Sequence, residues 1–188
     1  MRTEQATGRP RIGGRAPWAG TAAAALVVVA ATSVGVANAA ARVPARPSFD
    51  YIGEFSNVKD APEGTAKITG IATMVVITHA TTTSIDVNGL DPKAVYIADV
   101  HSTACFLNEG SGPFLFDPAG PDAPPNAIWL TPITVTPKGY GNATATSSFA
   151  AGPRAKSVVI HLKRKPGALV DEPSPPKLAC SDLPRVTS

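Results

Sequence analysis

Five side chains along this sequence have types and spacings that could do chemistry. Asp99 and His101 flank Val100 at the end of Val95-Tyr96-Ile97-Ala98-Asp99-Val100-His101, a run with the composition of a strand. Residues two apart on a strand point to the same face, so a carboxylate and an imidazole leave the sheet side by side. A thiol, Cys105, follows shortly after. A second imidazole, His161, closes the apolar run Ser157-Val158-Val159-Ile160-His161, and the other thiol is Cys180 in Lys177-Leu178-Ala179-Cys180. Two imidazoles and a carboxylate can hold a divalent metal ion if the fold brings them together. The competing reading is that His101 and His161 only hydrogen-bond loop backbone. His79 has no such neighbours and is expected at a surface or strand end.

The elements that would position these groups read as strands. In Thr65 to His79, β-branched residues dominate and both parities are apolar, as in a sheet with a packed face. Thr81 to Val87 is a second strand, closed by the turn signal Asn88-Gly89. Ala94 to His101 is a third. Cys105 to Pro125 is a long loop holding five Pro and three Gly. Loops of this length are usually functional or pinned, and Cys105 would be the pin. Ala127 to Val135 reads as extended, with Pro132 restricting it to an edge or an irregular segment. Gly141 to Phe149, Ser157 to Leu162 and Leu178 to Leu183 complete the set. No apolar period of helical spacing runs through the chain after its N-terminal segment. Short strands punctuated by turns predict an all-β fold, a Greek-key β-sandwich or barrel of about eight short antiparallel strands.

The order of these motifs resembles the copper/zinc superoxide dismutase family. That family carries a V-x-G-L segment, H-V-H, a Cys, G-x-H-F-N-P, a late V-V-H strand and R-L-A-C. Here the matching segments are Val87-Asn88-Gly89-Leu90, Asp99-Val100-His101, Cys105, Leu115-Phe116-Asp117-Pro118, Val158-Val159-Ile160-His161 and Lys177-Leu178-Ala179-Cys180. The resemblance covers residues 65 to 183. It implies a copper site on His101 and His161, with Asp99 where the family has another His and Leu115 where it has the bridging His. The loop Ala119-Gly120-Pro121-Asp122-Ala123-Pro124-Pro125 holds no His, so the zinc site is expected to be absent. Leu90 is expected to plug an end of the sandwich. Lys177 stands at the family's anion-guiding Arg; it keeps the charge without the planar fork, and a plain solvated Lys is the alternative.

The N-terminal segment reads as an export signal. Arg2, Arg9, Arg11 and Arg15 precede the apolar stretch Ala19 to Val36, and Ala37-Asn38-Ala39 gives a small-x-small pattern with cleavage expected before Ala40. An uncleaved membrane anchor is the alternative, since the apolar stretch approaches spanning length. Residues 40–64 are expected to form a linker or N-terminal extension, with Phe49, Tyr51, Ile52 and Phe55 as a short strand or edge contact, and residues 65–188 the β-domain. Of 17 basic and 14 acidic residues, residues 1–39 hold four and one, leaving 13 of each sign. The sequence pI near 9.0 therefore reflects the signal and gives no reason to expect nucleic acid. Two cysteines in an exported chain, matching the family pair, are expected to form a Cys105–Cys180 disulfide; two free thiols are the alternative. Lys163-Arg164-Lys165 reads as a solvated basic turn, with attraction of anions as its alternative.

Together these readings describe a secreted or cell-envelope domain. Its metal site is degenerate, and its expected role is a binding or structural module with weak or no dismutase activity. The alternative is a copper-dependent dismutase with an unusual ligand set. No membrane contact is expected after cleavage. An envelope partner or a homodimer is compatible with the family resemblance.

Overall fold

The computed structural model describes residues 48–186 apart from 131, 170 and 173. The expected export segment and its cleavage site lie outside the described residues. Ten strands are described, in the order β1 (Phe49–Glu54), β2 (Ser56–Asn57), β3 (Thr69–Ile77), β4 (Ala80–Asn88), β5 (Val95–His101), β6 (Trp129–Leu130), β7 (Thr134–Val135), β8 (Gly141–Ser147), β9 (Ser157–Arg164) and β10 (Lys177–Asp182). They form two five-stranded sheets, β1-β3-β4-β8-β7 and β2-β10-β9-β5-β6, with every pairing antiparallel. In each sheet, strands distant in sequence lie side by side: β4 beside β8 and β5 beside β9. These are the crossings of a Greek-key sandwich.

Period-two alternation builds the core between the sheets. Ala72, Met74 and Val76 of β3 face Tyr96, Ala98 and Val100 of β5 and Val158 and Ile160 of β9 in one buried cluster. On the other face of β3, Ile71, Val75 and Ile77 remain exposed, which accounts for the apolar character of both parities. Leu90 is buried in that cluster and donates its backbone N–H to the Gly139 carbonyl. At one corner the sheets almost touch. A Cβ on Gly53 would sit 1.7 Å from the Asp182 carbonyl oxygen, so only glycine fits there.

The short strand expected at Phe49, Tyr51 and Ile52 is present: β1 pairs along its whole length with β3, from Phe49↔Val76 to Glu54↔Ile71. Its Tyr51 side chain packs on the core, which draws this segment into the sheet. The strand count exceeds eight because Ala127 to Val135 splits into β6 and β7 on different sheets, with β2 as a third two-residue piece. The chain's other end closes against β1: Ile52 N–H donates to the Pro184 carbonyl, Val186 N–H donates to the Asp50 carbonyl, and Tyr51 bridges to Arg185.

Candidate metal centre

β5 and β9 are central strands of one sheet, in the register Ile97↔His161, Asp99↔Val159 and His101↔Ser157. Opposed residues point the same way, so Asp99, His101 and His161 all leave the outer face, away from the core. The three side chains converge. One ligating atom from each lies within 4.8 Å of the others. Asp99 sits between the imidazoles: its Oδ2 is 3.0 Å from His101 Nε2 and its Oδ1 is 3.0 Å from His161 Nε2. The rings lie nearly parallel, 5.7 Å between centroids. His101 is the most enclosed, with 6% of its side chain exposed, against 14% for His161 and 17% for Asp99.

These contacts have hydrogen-bond length without hydrogen-bond direction. His101 Nε2, His161 Nε2 and Asp99 Oδ1 are all buried and none has a hydrogen-bond partner, nor does His101 Nδ1. Unpaired buried polar atoms are costly, so a cluster of them is uncommon without something to satisfy it. The His161 tautomer sharpens the point. Its Nδ1 lies 3.2 Å from the Pro175 carbonyl, which can only accept, so the proton is assigned to Nδ1. In the neutral ring, Nε2 then directs a lone pair toward a carboxylate oxygen. Two acceptors at that separation need a cation between or beside them, either a proton or a metal ion. Holding a ligating imidazole by its far N–H is the usual way a protein orients a metal-binding His. The donor set therefore fits a divalent transition metal. When the cation is a proton carried by the imidazoles, burial still pushes the Asp99 carboxyl up, but hydrogen bonding and positive charge from His101 and His161 outweigh it and hold the group below its ordinary value.

The loop after β5 is laid tightly over this face. The Cys105–Cys180 disulfide is present and closes a separation of 75 residues. Cys180 packs with Val159 and Val58 in a small cluster outside the main core. The Cys105 N–H donates to Asp182 Oδ1, and Ser157 Oγ donates to the Thr103 carbonyl. Asn108, Glu109 and Gly110 all take positive φ, and a Cβ on Gly110 would press on Ser157, Val159 and the Cys180 sulfur. This turn aims two carbonyls at Lys177, whose Nζ lies 3.2 Å from both the Asn108 and Glu109 oxygens. The Lys177 ammonium is thus engaged in fastening the loop. Lys163 and Arg164 pair with Asp171, and Lys165 with Glu172. His79 is exposed in the turn between β3 and β4, and Leu115 bridges to Ala127 and offers only a hydrocarbon side chain.

Two residues beside the triad emerge only with the structure. Trp129 on β6 is the cross-strand partner of Asp99. Its indole Nε1 donates to Asp122 Oδ1 at 3.3 Å. With Ile97 and Pro175 they wall a cavity of about 210 Å³ whose floor carries Asp99 and His161. The signal in the sequence was a lone Trp beside an apolar run, following the loop carboxylate Asp122. No family model matches the chain, and no curated protein matches it.

Proposed function

We propose that this chain is an extracytoplasmic, superoxide dismutase-like sandwich that holds a single divalent transition-metal ion between Asp99, His101 and His161. In this reading it serves as a metal-binding module with little or no dismutase turnover. The observation that carries the proposal is the convergence of three ligating atoms, within 4.8 Å, that are largely buried and lack hydrogen-bond partners. The disulfide supports an oxidising compartment.

Copper is the metal we propose, from the family resemblance and the imidazole pair. Bound there, it would supply one-electron redox chemistry. The chain's own residues bias that chemistry. His161 is held by Pro175 with Nε2 presented. Asp99 contributes a harder oxygen donor than imidazole and a full negative charge, which favours the oxidised over the reduced ion. The cation that could draw in superoxide, Lys177, is spent on two carbonyls. Asp99 and Asp122 both face the adjoining cavity, and their charge opposes the approach of a small anion.

Metal analysis of the purified protein after incubation with copper or zinc, followed by gel filtration, tests the reading. A single retained ion is expected, lost in Asp99→Ala and His161→Ala proteins that remain folded by circular dichroism. Retention of no metal by the wild type, or undiminished retention by both variants, would overturn it.

A further inference from the structure

The cavity beside the triad has a polarity of its own. Asp122 stands at its side, exposed, with Oδ1 accepting from the Trp129 indole. Asp99 lies on its floor. The remaining walls named above, Ile97, Trp129 and Pro175, are apolar, no lysine or arginine lines the cavity, and the basic residues of β9, β10 and the loop between them are engaged with partners of their own. Lys177 binds carbonyls, Lys163 and Arg164 bind Asp171, and Lys165 binds Glu172. His161 lines the cavity with Asp99, its buried Nε2 without a hydrogen-bond partner, and the enclosed His101 meets Asp99 from outside that lining, Nε2 to Oδ2 3.0 Å. A low-dielectric pocket lined by one sign of charge concentrates counter-ions of the other sign.

We infer that Asp122 is a capture residue: it draws a hydrated divalent cation into the Trp129 cavity, next to the ligating side chains, and makes the site admit cations and resist small anions. The inference rests on the metal-binding reading above and assigns Asp122 a role outside the ligand set. Asp122 acts on entry through its charge. Its side chain is held toward the cavity by the indole N–H, while its exposure leaves it in contact with bulk ions. Trp129, opposite Asp99 in the ladder, reports on arrival of the metal. The other indole of the chain is Trp18, so a Trp18→Phe background leaves Trp129 as the sole fluorophore of its kind.

The experiment is stopped-flow quenching of Trp129 by copper(II) in the full chain carrying Trp18→Phe. Asp122→Asn is compared with Glu63→Gln, an exposed carboxylate away from this cavity. At low ionic strength, Asp122→Asn is expected to slow uptake by about threefold to tenfold, and Asp122→Lys by more, with Glu63→Gln unchanged. The difference should shrink as salt rises to about 0.5 M, because entry steering is screened. As an anion probe, azide binding to the copper-loaded protein, read from its absorption band, should tighten by a similar factor in Asp122→Asn. Uptake by Asp122→Asn within about 1.5-fold of wild type, with unchanged azide binding, would overturn the capture role while leaving the ligand set standing. Failure of the wild type to take up copper would overturn both.

Discussion

Removing both cysteines, as Cys105→Ala with Cys180→Ala, should be among the most costly changes to this domain. The cross-link spans 75 positions. In the chain-entropy account, a loop of that size restricts the unfolded chain by roughly 4.5 kcal/mol at 25 °C. Alanine at position 180 also empties part of the small cluster with Val58 and Val159, adding about 1 kcal/mol. Residual structure in the unfolded chain works the other way, and measured disulfide contributions commonly fall to about 2–4 kcal/mol. The expected loss is therefore about 3–5 kcal/mol, or roughly 10–18 °C in melting temperature for a domain of this size. Urea unfolding of the wild type and the double variant measures it directly. The expected midpoint falls sharply. A loss below about 1.5 kcal/mol would refute the reasoning, because it would mean that the turn at Asn108–Gly110 and the Lys177 contacts hold the loop without the cross-link.

Further outcomes follow from the same geometry. Asp99 titrates below its ordinary value of 3.8 in the folded protein, so its contribution is complete above that pH and is lost as pH falls through the folded value. The stability gap between wild type and Asp99→Asn should therefore narrow as pH falls below about 4; a gap constant into that acid range would contradict the pairing with the imidazoles. Gly53→Ala forces a Cβ against the Asp182 carbonyl and should cost at least about 2 kcal/mol in urea unfolding; an unchanged midpoint would show that the corner is looser than described. Superoxide turnover by the copper-loaded protein should fall far below that of four-imidazole dismutases, and comparable rates would count against Asp99 as a ligand.

Much of the architecture was legible because alternation and turn residues act locally. Thr69 to Asn88 forms a hairpin of β-branched strands that reverses at Thr78-His79, and Asn88-Gly89 ends its second strand where the turn signal placed that end. Asp99 and His101 share a face for the simple reason that they are two apart. His161 is a different matter. Its place beside Asp99 depends on the β5–β9 register, a non-local pairing that no local pattern specifies. The motif order supplied that proximity. Trp129 and Asp122 were missed for the same cause, since the loop holding Asp122 and the segment after Pro125 holding Trp129 gave no local sign of meeting. Its two-residue strand against Asp99 is set by pairing that no local propensity predicts. Lys177 illustrates a further limit. Its charge was visible, but the positive-φ turn that gives it two carbonyl partners was not. The short strand at Phe49 was legible from Phe49, Tyr51 and Ile52 despite the Pro-rich composition around it, but its pairing with β3 was not, being non-local.

Residues 184–186, which close against β1, bear on how that strand's edge is kept from pairing with other chains. An open strand edge is a template for adding another chain. Among the described residues, three of the four outer strands, β2, β6 and β7, are only two residues long. The long one, β1, has Pro184 and Val186 bonded along its free side. Ending the chain at Leu183 would uncover a six-residue edge with Phe49 and Ile52 exposed on it. Light scattering should then show concentration-dependent assembly into elongated species, while the full chain stays dispersed. That outcome would mark residues 184–186 as a guard against polymerisation, separate from anything at the metal centre.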